Sequence, residues 1–204
     1  MSADKTFANV RANILSSHKS SSLGEKVNFY DSWAENYDAD VAALDYRAPG
    51  LAARTISTHF SGDHEAAVVL DLACGTGLVA KQLETHGFRH FVGVDGSERM
   101  LELAKEGLFD VVVIVGALSV GQVPVHVVRE LCKAAKAGGY ICMTTRGNRD
   151  NADYKVALEN ELKQMEEEEL WTCVEVTVEK DWERAVSEHE HGYISGAVYI
   201  YKKL

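Results

Sequence analysis

Positive charge, paired cysteines and long apolar runs are what this chain has little of. Its 204 residues hold 21 Lys and Arg against 31 Asp and Glu, a formal net charge of −10, with a pI near 5.3. Proteins that track a phosphate backbone usually present a basic face, so a broad DNA or RNA footprint is disfavoured and no nucleic-acid partner is expected. The four cysteines, Cys74, Cys132, Cys142 and Cys173, form no CxxC pair. They read as small buried hydrophobes on or near strands and helices, which suits a reducing compartment. No charged-then-apolar leader opens the chain, and no apolar run approaches the roughly 20 residues of a membrane helix. A cytoplasmic or nuclear protein with no membrane partner is therefore expected.

What is present is 46% hydrophobic and 25% charged residues, the profile of one globular domain with a sizeable core. The serine-rich start, Ser16, Ser17, Ser20, Ser21 and Ser22, has little apolar patterning. Residues 1–25 are expected to form a flexible N-terminal arm, able to order over a ligand, and 26–204 a single domain.

Phe29, Trp33 and Tyr37 repeat at i, i+4, i+8 and predict a helix from Lys26 to about Asp45, its stripe serving either as core packing or as a lid. A second helix is predicted from Gly50 to Phe60, with Pro49 near its first turn. Strands at 67–72, 90–95, 110–115 and 139–145 then alternate with helices at 77–86, 97–106 and 125–136. That alternation predicts an α/β, Rossmann-like doubly wound sheet. Apolar runs such as Val111 to Val115, and the stretch Phe91-Val92-Gly93-Val94, read as strands buried on both faces. A polar helix over 151–170 precedes alternating strands at 172–179 and 195–202, an antiparallel pair expected at one edge of the sheet, joined by a loop at 186–194.

The densest information lies in Val68 to Gly77, followed by Phe91 to Asp95. Strand, glycine-rich turn at a helix start, second strand and acid at its tip describe a mononucleotide-type pocket. Gly75 and Gly77 let the backbone approach a ligand closely. Asp71, just before the turn, would repel a pyrophosphate and attract a cation. Asp95 can accept both hydroxyls of a ribose, and Tyr30, Trp33 and Tyr37 can roof the pocket with cation–π attraction. A cation bearing a ribose and no phosphates satisfies all of these. Gly75 to Ala80 also fits the G-x-G-x-x-A pattern of nicotinamide dehydrogenases, against which Asp71 and the antiparallel edge weigh. A non-catalytic Rossmann-like binding protein stays open as well.

Asp71-Leu72-Ala73-Cys74-Gly75-Thr76-Gly77 resembles the acidic-x-Gly-x-Gly-x-Gly motif of class I methyltransferases that use S-adenosyl-L-methionine, with Ala73 where the first glycine often sits. Asp95 matches their acid after the second strand, Phe109 to Val113 their fourth strand, and Gly138-Gly139-Tyr140 their approach to the fifth. Tyr30-Asp31-x-Trp33-Ala34-x-x-Tyr37-Asp38, Val115 to Ser119 and Ile194-Ser195-Gly196 are similar to the Williams–Beuren branch of methyltransferase-like proteins. The resemblance implies S-adenosyl-L-methionine as cofactor, contacted by Asp71, Ala73, Cys74, Gly75, Thr76, Gly77, Asp95, Gly96, Ser97 and Met100, with Tyr30, Trp33 and Tyr37 over it. It implies methyl transfer to a small molecule or a protein side chain. Gly116 to Val120 has no Asn/Asp-Pro-Pro-aromatic tetrapeptide of the kind found in enzymes that methylate nucleic-acid amino groups.

Arg146, Asn148 and Asn151 follow the fifth strand of that pattern at the sheet's carboxyl edge, and with Tyr30, Tyr37 and Tyr193 are the expected substrate-side residues. Methyl transfer is an in-line displacement that needs no nucleophile on the protein, so no catalytic residue is singled out. His189 and His191, between Glu188 and Glu190, read as a solvated loop, and no metal is expected.

One departure from the family stands out. After the helix ending near Glu106, Gly107-Leu108 leads straight into Phe109, where the family has a third strand whose following loop touches the adenine. The expected result is a half-formed cofactor site with impaired activity. The connection must also cross the first strand, against the usual right-handed geometry if its helix stays on its customary face.

Overall fold

The computed structural model describes Val10 and residues 23–95, 107–186 and 189–204. Most of the arm, the helix expected at 97–106, and with it Gly96, Ser97 and Met100, lie outside the described residues.

Two helices open the domain, α1 (Leu23–Ala43) and α2 (Ala48–His59), the second with Pro49 in its first turn. Then come β1 (Val68–Leu72), α3 (Leu78–Thr85), β2 (His90–Val94), β3 (Phe109–Ile114), α4 (Val127–Ala134) and β4 (Ala135–Arg146). A 3-10 turn at Arg149–Asn151 leads into α5 (Ala152–Glu167), β5 (Trp171–Arg184) and β6 (Tyr193–Lys203). The six strands form one sheet in the order β2-β1-β3-β4-β6-β5. The first four are parallel, and β6 and β5 add antiparallel at the far edge.

The period of two along each strand divides the core between the sheet's faces. On one face Leu70, Val112, Ile141 and Met143 pack with Leu131 of α4 and Leu158 and Leu162 of α5. On the other, Val69, Val111 and Cys142 pack with Ala52 and Ile56 of α2 and Leu83 of α3. Each fully buried leucine or isoleucine contributes roughly 1.5–3 kcal/mol through burial. Among the described residues, no helix is long and apolar enough to cross a membrane.

Three expectations need correction. The apolar run of β2 is not buried. It is the outermost strand, with no partner on its far side among the described residues, and Val92 is 43% exposed. The helix expected to reach residue 136 gives way to strand at Ala135, because Gly138 and Gly139 form an irregularity within β4 rather than a helix stop. Gly138 has φ 76°, and a Cβ on Gly139 would lie 2.9 Å from the Lys136 carbonyl. The strand expected to stop at 179 runs on to Arg184 through a register shift between Glu179 and Glu183. Of the cysteines, all free, Cys132 and Cys142 are buried while Cys74 and Cys173 are half-buried.

Candidate cofactor and acceptor site

The site is built at the carboxyl end of the parallel strands. β1 delivers Asp71 and then turns sharply. Ala73 takes φ 54° and Gly77 φ 79°, left-handed values that cost a side-chain-bearing residue about 1–2 kcal/mol and glycine almost nothing. Gly77 closes the turn onto the Cys74 carbonyl at 2.8 Å and caps α3. The Gly75 N–H donates to Asp95 Oδ2 at 2.6 Å, and the Cys74 N–H to the Val94 carbonyl at 3.3 Å, tying the turn to the end of β2. A Cβ on Gly93 would come within 2.9 Å of Cys74 Sγ, so the glycine in β2 is what lets Cys74 lie across it.

Asp71 is 2% exposed and neither carboxyl oxygen has a hydrogen-bond partner among the described residues. Burial, reinforced by the nearby Asp95 carboxylate, pushes its pKa up to about 7. A buried acid in this state is strongly stabilised by any cation or donor placed against it.

Thr76 turns the other way. Its hydroxyl donates to Asp38 Oδ1 at 2.5 Å, and Lys81 reaches Asp38 Oδ2 at 3.1 Å, bonds that hold the Asp38 carboxyl below its usual range. The Thr76 side chain therefore fastens α1 to the turn instead of facing a ligand. Along α1, Trp33 packs edge-on to Tyr37 with centroids 5.0 Å apart and lies nearly parallel to Tyr30 at 6.1 Å. Its indole N–H donates to Asp40 at 2.6 Å. Of the predicted stripe, Trp33 is buried and, with Tyr37, borders a cavity of about 120 Å³ beside the exposed Tyr30, whereas Phe29 is not among its walls.

The remaining walls come from the ends of β3 and β4, from Tyr46 and from Trp182 and Glu183 of β5. Gly116 leaves room for the Tyr46 hydroxyl, which a Cβ there would strike. Burial raises the pKa of Tyr37 and Tyr46, so both remain neutral phenols. Burial likewise lifts Glu183 to about 7, partly offset by the positive charge of Arg146.

Arg146 and Asn148 line this cavity, as the sequence suggested. Tyr193 does not: its hydroxyl donates to Asp45 at 3.0 Å outside the cavity. Asn151 is also not a substrate contact. Fully buried, it accepts from the Val120 N–H at 2.8 Å and donates to Thr145 Oγ1 at 3.0 Å and the Arg146 carbonyl at 2.7 Å. It clamps the loops after β3 and β4 together. Sequence reasoning missed Asp38, Tyr46 and Glu183. Asp38 stood in plain view beside Tyr37, and the break in alternation at Lys180-Asp181-Trp182-Glu183 was the signal for a distorted strand.

A methyltransferase-domain profile matches residues 44–196. Human methyltransferase-like protein 27 is 44% identical over 183 residues, covering 79% of this chain and 74% of that protein. Among solved structures, the 1,6-didemethyltoxoflavin N1-methyltransferase of Burkholderia thailandensis, with 1,6-didemethyltoxoflavin and S-adenosylhomocysteine bound, superposes with a TM-score of 0.57. It is 18% identical and covers 89% of this chain and 90% of its own. A TehB-like S-adenosylmethionine-dependent methyltransferase from Corynebacterium glutamicum gives 0.52 at 16% identity, covering 86% of this chain and 98% of its own. The two structures share the fold. The profile spans every strand from β1 to the start of β6, and with the human relative's identity it places this chain in the methyltransferase-domain family.

Proposed function

We propose that the chain is an S-adenosyl-L-methionine-dependent methyltransferase acting on a small molecule, in a cytoplasmic or nuclear setting that four free thiols suit. The observation that carries the reading is Asp71, a buried carboxyl with two unpartnered oxygens at the mouth of a glycine turn. A dinucleotide would bring pyrophosphate beside that acid, whereas a ligand with an ammonium and a sulfonium brings the charge it lacks.

The residues present fit such a ligand. Asp71 would hold its cationic end, and Asp95 with the glycine turn its ribose. One Asp95 oxygen already accepts the Gly75 N–H, so a two-oxygen grip on the ribose requires that oxygen to accept twice. When bound, the cofactor supplies an electrophilic methyl group. The chain's part is to orient the acceptor, exclude water and receive a proton, which is where in-line transfer gains most from a protein. Tyr30, Trp33 and Tyr37 of α1 border a cavity whose lining does not include Asp71, the glycine turn or Asp95, and the Asp38–Thr76 bond ties α1 to that turn.

The open flank is on the β2 side. β2 stands at the sheet's edge with Val92 exposed, which fits the expectation of weak affinity and reduced turnover. Calorimetric titration with S-adenosylmethionine, S-adenosylhomocysteine and NAD separates the possibilities. Binding of the first two and not of NAD is expected; binding of NAD alone would replace this reading with a dehydrogenase.

A further inference from the structure

The cavity wall facing α1 owes its shape to a distortion in β5. From Trp171 to Glu179 that strand pairs with β6 down to Gly196, and pairing then resumes at Glu183 opposite Ile194. Lys180, Asp181 and Trp182 are left opposite Ser195 alone, a bulge of the kind that re-aims side chains. Trp182 is buried over Gly196, where a Cβ would collide with its ring. The backbone on either side of Glu183 is tied to the connection between α1 and α2. The Arg47 N–H donates to the Trp182 carbonyl at 3.1 Å and the Arg184 N–H to the Leu44 carbonyl at 2.8 Å. Glu183 is thus presented to the cavity from a backbone fixed on both sides.

We infer that Glu183 takes the proton from the methyl acceptor, and that this acceptor is a single-ring aromatic compound carrying a ring-bound O–H or N–H. The inference rests on the methyltransferase reading above. Size and walls give the class. The cavity, about 120 Å³, is close to the roughly 150 Å³ of an engineered apolar cavity that binds benzene, and the rings of Tyr30, Trp33 and Tyr37 border it. A lone pair on the acceptor's oxygen or nitrogen forms the new bond to the methyl carbon. The carbon–sulfur bond breaks with its electron pair staying on sulfur, and the acceptor's proton passes to a Glu183 carboxylate oxygen, from which it leaves to solvent after product release.

The surroundings tune Glu183 for this. Tyr30 and Tyr37 approach from α1, Tyr46 from the connection beside it and Arg146 from the end of β4, while Asp150 and Glu190 stand at the cavity margin. Burial lifts the Glu183 carboxyl to about 7 against the pull of Arg146. A base is most effective when its pKa lies near the working pH, and an ordinary carboxylate would be too weak.

The test uses the full chain, methyl-labelled S-adenosylmethionine and three probes: phenol, 2-hydroxypyridine and the two-ring 2-naphthol. Label is expected on the one-ring probes, with 2-naphthol at least tenfold slower, and the wild-type rate should fall below an acid limb near pH 7. Glu183→Gln should lower single-turnover transfer by about 10²–10⁴-fold and abolish that limb, with cofactor affinity within about threefold, and Glu183→Asp should restore part of the rate. Cofactor binding with no label on either one-ring probe would overturn the acceptor class. Unchanged transfer and an unchanged acid limb in Glu183→Gln would overturn the base. Should that variant not fold, absence of the acid limb in the wild type would overturn it equally, whereas failure of the wild type to bind S-adenosylmethionine at all would instead strike the methyltransferase reading.

Discussion

Asp38 and Thr76 are joined by a 2.5 Å hydrogen bond that fastens α1, the helix bordering the cavity, to the glycine turn. Thirty-eight residues of chain separate them, so the bond carries no local secondary structure and acts only between α1 and the turn. Asp38→Ala should loosen α1 without unfolding the sheet. A charge-assisted bond of this kind is worth about 1.5–3 kcal/mol when well shielded, and less here because Asp38 is solvent-exposed. Faster amide exchange across residues 23–43 and a severalfold weaker cofactor dissociation constant are expected. Equal exchange in variant and wild type would show that Asp38 does not hold the helix.

Asp95 braces Gly75, and in the proposed function it also offers acceptors to a ribose. Asp95→Ala should weaken S-adenosylmethionine binding by roughly ten- to hundredfold, corresponding to the ~1.5–3 kcal/mol of hydrogen bonds to a charged acceptor. Calorimetry reads this directly. An unchanged constant would mean that the acid serves the turn alone.

Asp71 gives a pH dependence opposite to that of a salt-bridged acid. Its folded-state pKa, about 7, lies above the unfolded value near 4, so the fold holds its proton more tightly than the unfolded chain does. Its contribution is most favourable below about pH 4 and declines as pH rises towards 7, by at most about 1.4 kcal/mol per pH unit. Asp71→Asn should therefore be more stable than wild type at pH 8 and nearly equal to it at pH 4, in urea unfolding at the two values. The same change should weaken S-adenosylmethionine at least tenfold. Loss of stability at pH 8 would contradict an unpartnered Asp71.

Asn151 makes the opposite trade. Asn151→Ala removes one buried and two partly buried hydrogen bonds and leaves their partners unsatisfied, a loss of about 2–4 kcal/mol in chemical denaturation. Cofactor affinity should stay within a few-fold, because Asn151 joins two loops and does not line the cavity.

Much of this was legible in the residues because it is local. The alternation of apolar runs and glycine turns gave the parallel strands, and Asp71, Gly75, Gly77 and Asp95 lie within one β-turn-α-β unit whose geometry is nearly set by spacing. Glu183 was not legible, since its role depends on a bulge in β5 and on backbone bonds to Leu44 and Arg47 far away in sequence. Exposure of β2 was hidden for a similar reason. Phe91-Val92-Gly93-Val94 is as apolar as an inner strand, and only the sheet order reveals that one flank has no partner strand among the described residues. Asn151 misled because position at the carboxyl edge suggests ligand contact, while both ends of its amide are taken by the protein.

The outer place of β2 also separates the scaffold from the grip. β1 is hydrogen-bonded on both sides, by β2 and β3, and every other ladder lies on the far side of β1 from β2. A further strand beyond β2 would add a wall to the ligand site while lying at the rim, away from α4 and α5, which contact β3, β4 and β5. The rim of such a sheet can differ from one relative to the next while the central strands keep their registers, so strength of cofactor capture and resistance to unfolding are free to vary independently.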